Sequence, residues 1–268
     1  MKKIEKRMQD VLNRNEKVLV SGVPIGYPDL DTTRRVVEIY IKSGIDVVEF
    51  SMPSSNPYID TRLIAESNIK ALNQQPELDR YFSTLSKVRS DFPEEPFYMM
   101  AYADIILKFG VERFVHTIQT LEIDALELPD PEETVPELVS QLDPLLQKAG
   151  IFRIYILHHP FTEKSLHSIK DKTQGFLLLQ SVADAAGKRE KVAPENKGII
   201  DRIKGAGLTM PVILGYGINK PERVKEAVAV GADGVIVGTA MIEMINRGDL
   251  NELAKFIRSL KDATLPAS

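Results

Sequence analysis

Asp46-Val-Val-Glu49-Phe-Ser-Met-Pro53, followed by Asn56-Pro-Tyr-Ile-Asp60-Thr-Arg62, joins a short apolar run to a loop and sets one carboxylate on each. The run reads as a buried strand, because Val and Phe fit a pleated surface and the stretch is too short for a helix. Seven more runs of this kind occur: Lys17 to Ser21, Phe97 to Ala101, Ala125 to Leu128, Ile151 to Leu157, Gly175 to Gln180, Pro211 to Gly215 and Gly234 to Val237. Each is followed by a segment of helical periodicity. Strands separated by helices need parallel crossovers, and eight such units close into an α/β fold, a (β/α)8 TIM barrel. In that architecture the carboxyl ends of the strands and the loops after them converge on one cleft, so Glu49 and Asp60 are expected to share it.

The helices carry their own punctuation. Asp31 and Thr32 can cap a helix through Lys42 that stops at Gly44, and Asn219-Lys-Pro-Glu222 can cap one ending at Gly231. The charged amphipathic segment from Met1 to Asp10 is expected as an extra N-terminal helix plugging the amino-terminal end of the barrel. Leu250 to Lys261 is expected as a last peripheral helix. Residues 1–268 fit one domain of barrel size, with 43% hydrophobic and 27% charged residues. A net charge of −4 without a clustered Lys/Arg tract leaves no electrostatic footprint for nucleic acid or an anionic membrane. With no Cys and only His116, His158, His159 and His167, no disulfide, thiolate chemistry, metal cluster or cofactor is expected. No apolar run approaches a membrane span or a signal peptide, so the expected location is cytoplasmic.

Glycines mark three late strand ends: Ala186-Gly187-Lys188, Gly215-Tyr216-Gly217 and Gly238-Thr239. Loops at these places cradle phosphate in many barrels, because glycine lets the backbone approach closely and a helix start offers free N–H donors. A single glycine is an ordinary tight turn; three at successive strand ends point to an anion site.

The chain resembles the tryptophan synthase alpha subunit family along nearly its whole length. The resemblance rests on Gly26-Tyr-Pro28, Ser43-Gly-Ile-Asp-Val-Val-Glu49, Pro53-Ser-Ser-Asn-Pro57 with Asp60, Met100-Ala-Tyr102, Asp130, Gly215-Tyr-Gly-Ile218 and Val235-Ile-Val-Gly-Thr-Ala240. It implies a lyase that cleaves indole-3-glycerol phosphate to indole and glyceraldehyde 3-phosphate, beside a pyridoxal-phosphate-dependent beta subunit that consumes the indole. It also implies Glu49 as general acid and base and Asp60 as the group that stabilises a cationic indolenine. Gly187, Gly217, Gly238 and Thr239 would hold phosphate, with the Thr239 hydroxyl in place of the family's usual Ser. Gly22, Met100, Tyr102, Glu127, Ile156, His158, Leu178 and Tyr216 would meet the rest of the substrate.

Retro-aldol cleavage must protonate the indole carbon and remove a proton from the side-chain hydroxyl, which asks for a proton-shuttling group. A second carboxylate that stays ionised can stabilise the positive charge that develops. Each carboxylate also has a structural reading. Glu49 could pair with a strand-end Lys or Arg, and Asp60 could cap a helix from Thr61 to Ala71.

The departures from the family cluster where the indole would sit. The family favours aromatic and aliphatic residues at positions held here by Gly22, Met100, Glu127, Ile156, Leu178 and Tyr216. Two usual aromatics are gone and a carboxylate has arrived. A buried charge needs a partner, so Glu127 is expected to bind a polar substrate group or to pair with His158 or His159. Ala186 stands in the sixth loop where the family has a Thr, Pro24 replaces a Thr in the first, and Asn56 and Tyr27 replace Asp on the side that would face a beta subunit. Three readings stay open. They are the indole-3-glycerol phosphate lyase, a barrel aldolase or isomerase acting on a more polar phosphorylated substrate, and a catalytically weak regulatory subunit of a partner enzyme.

Overall fold

The computed structural model describes residues 1–182 and 191–265. Eight strands, β1 (Val18–Pro24), β2 (Val47–Ser51), β3 (Phe97–Met100), β4 (Ala125–Glu127), β5 (Phe152–Leu157), β6 (Leu177–Gln180), β7 (Val212–Gly215) and β8 (Gly234–Val237), pair in sequence order, and β8 returns to β1 to close the barrel. All eight pairings are parallel. β1 runs to Pro24, beyond the expected end at Ser21, because its pairing with β2 continues to Pro24 opposite Ser51. β2 begins one residue after Asp46. The Asp46 carboxylate instead accepts from the Leu19 N–H at 2.8 Å and from Lys261 Nζ at 2.8 Å.

Around the strands lie α1 (Lys3–Asn13), α2 (Leu30–Ser43), α3 (Arg62–Gln74), α4 (Leu78–Asp91), α5 (Ala103–Phe109) and α6 (Val111–Thr120). They are followed by α7 (Pro136–Ala149), α8 (Glu163–Lys172), α9 (Glu195–Gly205), α10 (Pro221–Ala229), α11 (Thr239–Asn246) and α12 (Leu250–Asp262). The cap of α2 is Asp29, two residues before the expected start: its carboxylate accepts from the Thr32 N–H at 2.7 Å. Gly44, at φ +109°, ends that helix in the left-handed conformation that a Cβ would disfavour. α10 starts on Pro221 with Lys220 at the cap, so Asn219 lies just outside it.

Two apolar layers position the site. Ile4, Met8 and Val11 of α1 pack onto the inward residues Val18, Val20, Val47, Tyr98 and Ile213, sealing the amino-terminal end of the barrel. Outside the strands, a larger core joins the sheet to the surrounding helices. Because side chains alternate along a strand, register decides what reaches the interior. Gly22 aligns with Glu49 and Glu49 with Tyr98, Met100 aligns with Glu127, and Ile156 with Leu178. With the floor closed, these residues can open only toward the carboxyl ends of the strands.

Candidate active site

A cavity of about 400 Å³ occupies that end of the barrel. Gly22, Glu49, Asp60, Met100 and Glu127 are among the residues that line it. So are Ile156, Leu178, Tyr216, Gly217, Gly238 and Thr239.

Glu49 is buried, and no cation among the described residues neutralises it. Its Oε1 accepts from the Ser51 hydroxyl at 2.7 Å and its Oε2 from the Tyr98 hydroxyl. Burial raises its pKa above the usual carboxylate range, and the two hydroxyl donors offset this in part. The competing role, an ion pair with Lys or Arg, is not found among the described residues. Ser51 and Tyr98 were not singled out from the sequence, although alternation gives both away: Ser51 lies two residues beyond Glu49 on the same face, and Tyr98 stands opposite Glu49 in β3. Gly22 makes room for this arrangement, since a Cβ there would lie 2.9 Å from Glu49 Oε1.

Asp60 does not cap α3. The residue at the cap is Thr61, which makes no side-chain capping bond, and Asp60 Oδ2 accepts from the Tyr102 hydroxyl at 2.9 Å. Burial pushes the Asp60 pKa up to about 7; the Tyr102 hydrogen bond works against that shift and the Glu49 charge adds to it. The cavity therefore holds Asp60 poised between protonation states near neutrality, where a carboxylate that stays ionised was expected. Tyr102 itself is not among the residues lining the cavity. It stands behind Asp60 and packs edge-on against Tyr58, with ring centroids 5.5 Å apart.

Glu127 departs furthest from expectation. It is 4% exposed, and its Oε2 is buried without a hydrogen-bond partner. Burial, followed by the Glu49 and Asp60 charges, raises its pKa well above the usual range. Neither histidine pairs with it. His158 is exposed with Nδ1 3.3 Å from Gln180 Oε1, and His159 is exposed beside the Phe161 ring, so His158 is not a wall of this cavity. Among the described residues, the compensating charge is Arg153 of β5, whose guanidinium lies 3.5 Å from Asp143 of α7 and 3.8 Å from Glu132, outside the barrel. It lowers the Glu127 pKa only through space.

The opposite wall is built for an anion. Tyr216 and Gly217 hold successive left-handed conformations (φ +69° and +77°), and the Ser181 hydroxyl donates to the Tyr216 carbonyl at 2.8 Å. Gly238 precedes α11 and its carbonyl accepts from the Met241 and Ile242 N–H groups, so it is the first two N–H groups, those of Thr239 and Ala240, that lack an acceptor within the helix at the positive end of its dipole. The Thr239 hydroxyl is 3.0 Å from that of Thr61, which ties the loop carrying Asp60 to this helix start. Thr61 was also missed, since nothing local in the sequence announces a bond spanning 178 positions. Gly187 and Ala186 lie outside the described residues.

Fold and site define a barrel enzyme that pairs buried carboxylates with a backbone anion cradle across one cavity. The description "Tryptophan synthase alpha chain" matches residues 8–264. Over 273 residues, covering 100% of both chains, this one is 32% identical to the tryptophan synthase alpha chain of Citrifermentans bemidjiense. It is 30% identical to that of Methanosarcina mazei, over 99% of this chain and 96% of the other. The structure of tryptophan synthase subunit alpha from Legionella pneumophila superposes with a TM-score of 0.86 at 25% identity, covering 98% of each chain. The chain belongs to the tryptophan synthase alpha chain family, the lyases that cleave indole-3-glycerol phosphate to indole and glyceraldehyde 3-phosphate. That family acts on a phosphorylated substrate and works with a beta subunit. Among the described residues, no helix is long and apolar enough to cross a membrane.

Proposed function

We propose that this chain cleaves indole-3-glycerol phosphate, or a close phosphorylated analogue, with Glu49 as the proton shuttle and Asp60 as the stabiliser of the cationic ring. The observation that carries this is Glu49 itself: a buried carboxyl without a counter-ion among the described residues, opening on the same cavity as the anion cradle. Protonated by its burial, Glu49 can deliver a proton to the ring carbon bearing the side chain, leaving an indolenine cation. Ionised by that step, it can take the proton of the neighbouring hydroxyl. The carbon–carbon bond then breaks, its electron pair returns to the ring, the hydroxyl carbon becomes the aldehyde, and Glu49 regains its starting proton. Asp60 suits the cation because a positive charge at the ring nitrogen draws its pKa down from about 7 and ionises it as charge develops. Gly217, Gly238 and Thr239 would hold the phosphate through backbone N–H groups at the α11 start. Met100, Ile156, Leu178 and Tyr216 would enclose the ring, with Tyr102 holding Asp60 in place.

Docking to a pyridoxal-phosphate-dependent beta subunit would use the loop between β2 and α3. The loop is braced by Asp104, which accepts from the Ser54 hydroxyl at 3.0 Å and the Ser55 hydroxyl at 2.9 Å, while Asn56 is exposed on it. Tyr27 faces inward, its hydroxyl donating to Asn246 Oδ1 at 2.7 Å, and is not part of such a surface. With an amide at 56 in place of a carboxylate, we expect weak docking and cleavage by the chain alone, in the cytoplasm. Indole release from indole-3-glycerol phosphate, measured with and without a beta subunit, tests both points. Glu49→Gln should lower turnover by about 10²–10⁴-fold with substrate binding little changed. Undiminished cleavage by that variant would remove Glu49 from the reaction.

A further inference from the structure

Glu127 is the buried titratable group that the cleavage scheme leaves without a task. It projects from β4 in register with Met100 and lines the same cavity as Met100, Ile156, Leu178 and the two reacting carboxylates. Its carboxyl makes no hydrogen bond among the described residues, and its Oε2 is buried. Leaving such a group unpaired destabilises the fold in a way that an apolar residue would not. Arg153 cannot answer it, because that side chain leaves the other face of its strand toward Asp143. A bare benzo ring cannot answer it either, having no polar edge.

We propose that Glu127 is a specificity residue whose carboxyl hydrogen-bonds an uncharged polar substituent, a hydroxyl, on the ring of the substrate. The preferred substrate is then a ring-hydroxylated indolyl glycerol phosphate, ahead of the unsubstituted compound. This rests on the lyase reading for the glycerol phosphate half and adds the chemistry of the ring. An uncharged group is favoured over a cation because burial and the charges of Glu49 and Asp60 keep Glu127 protonated. A neutral carboxyl donates through its O–H and accepts through its carbonyl oxygen, which matches the two faces of a hydroxyl.

The test uses the full chain and two readouts. Binding of indole and of 4-, 5-, 6- and 7-hydroxyindole is measured by calorimetry with glycerol 3-phosphate present to fill the anion cradle, and cleavage is measured on the corresponding glycerol phosphates. At least one hydroxyindole is expected to bind about 10–100-fold more tightly than indole, the equivalent of satisfying one buried polar group. Glu127→Leu should abolish that preference and bind indole at least as well as the native chain, whereas Glu127→Gln, which can still donate and accept, should keep most of it. If no hydroxyindole is preferred, or if the preference survives Glu127→Leu, the inference is overturned. Cleavage without ring discrimination would sink the inference and leave the lyase reading standing. Discrimination in binding without cleavage of any of the compounds would do the reverse.

Discussion

Asp60→Asn is the perturbation in which the electrostatics of this cavity can be read most directly. The native carboxyl has its pKa raised from 3.8 to about 7 by burial, with the Glu49 charge adding to the shift. The unfolded chain therefore gives up this proton well before the folded one, and between pH 4 and 7 the folded state binds more protons. Stability must fall across that window and level off above it, because ionising Asp60 in place costs more than ionising it in water. A shift from 3.8 to about 7 corresponds to about 4 kcal/mol, and an open cavity mouth that admits water reduces this to about 2–4 kcal/mol. Asparagine keeps the shape and can still accept the Tyr102 hydroxyl, yet it never ionises. Urea denaturation of both proteins at pH 5 and pH 8 isolates the effect, since any constant cost of the substitution cancels between the two. Part of the shift is already lost at pH 5, so the variant should gain about 1–2.5 kcal/mol relative to the native chain on going from pH 5 to pH 8. A relative change below about 0.5 kcal/mol would mean that Asp60 is ionised at an ordinary pKa in the free protein, and the account of its poise would be wrong.

The same group should shape the kinetics: kcat/KM should rise with pH through about 7 as Asp60 ionises, and this limb should vanish in Asp60→Asn, as a pH–rate profile would reveal. Gly22→Ala places a methyl 2.9 Å from Glu49 Oε1, so the carboxyl must swing off Ser51; turnover should fall by about 10-fold or more, with a thermal melt changed far less. Gly238→Leu should weaken inorganic phosphate binding, measured by calorimetry, because its side chain would crowd the first-turn N–H groups of α11. Lys261→Met leaves the Asp46 carboxylate without the ammonium that holds α12 to the barrel and should cost about 3–5 kcal/mol in chemical denaturation; a loss near zero would show that Asp46 is met by water.

The alternation of apolar runs and helical periods was enough to count eight parallel strands and place Glu49 and Asp60 at their carboxyl ends, because these patterns are local consequences of side-chain geometry along the chain. The same holds for the α1 plug, whose Ile4, Met8 and Val11 stripe is written at helical spacing. Gly217, Gly238 and Thr239, each within two residues of a strand end, line the cavity for the same local reason. Element boundaries moved where a distant group intervened. Asp46 left its strand for Lys261, 215 positions away, and β1 lengthened because β2 offered partners as far as Ser51.

Partnership and protonation belonged to the tertiary structure alone. Whether Glu49 met a cation or a pair of hydroxyls depended on Tyr98 arriving opposite it from another strand, and Asp60 turned to Tyr102 instead of its own helix. Glu127 is the clearest case. The sequence marks it as a carboxylate out of place and offers two histidines at the end of the next strand as partners, but the fold carries His158 and His159 to the solvent and Arg153 to the outer face. A sequence records which groups can ionise. Only the closed barrel, by removing water from some of them and bringing others within range, decides which of them hold their protons and which remain without a partner.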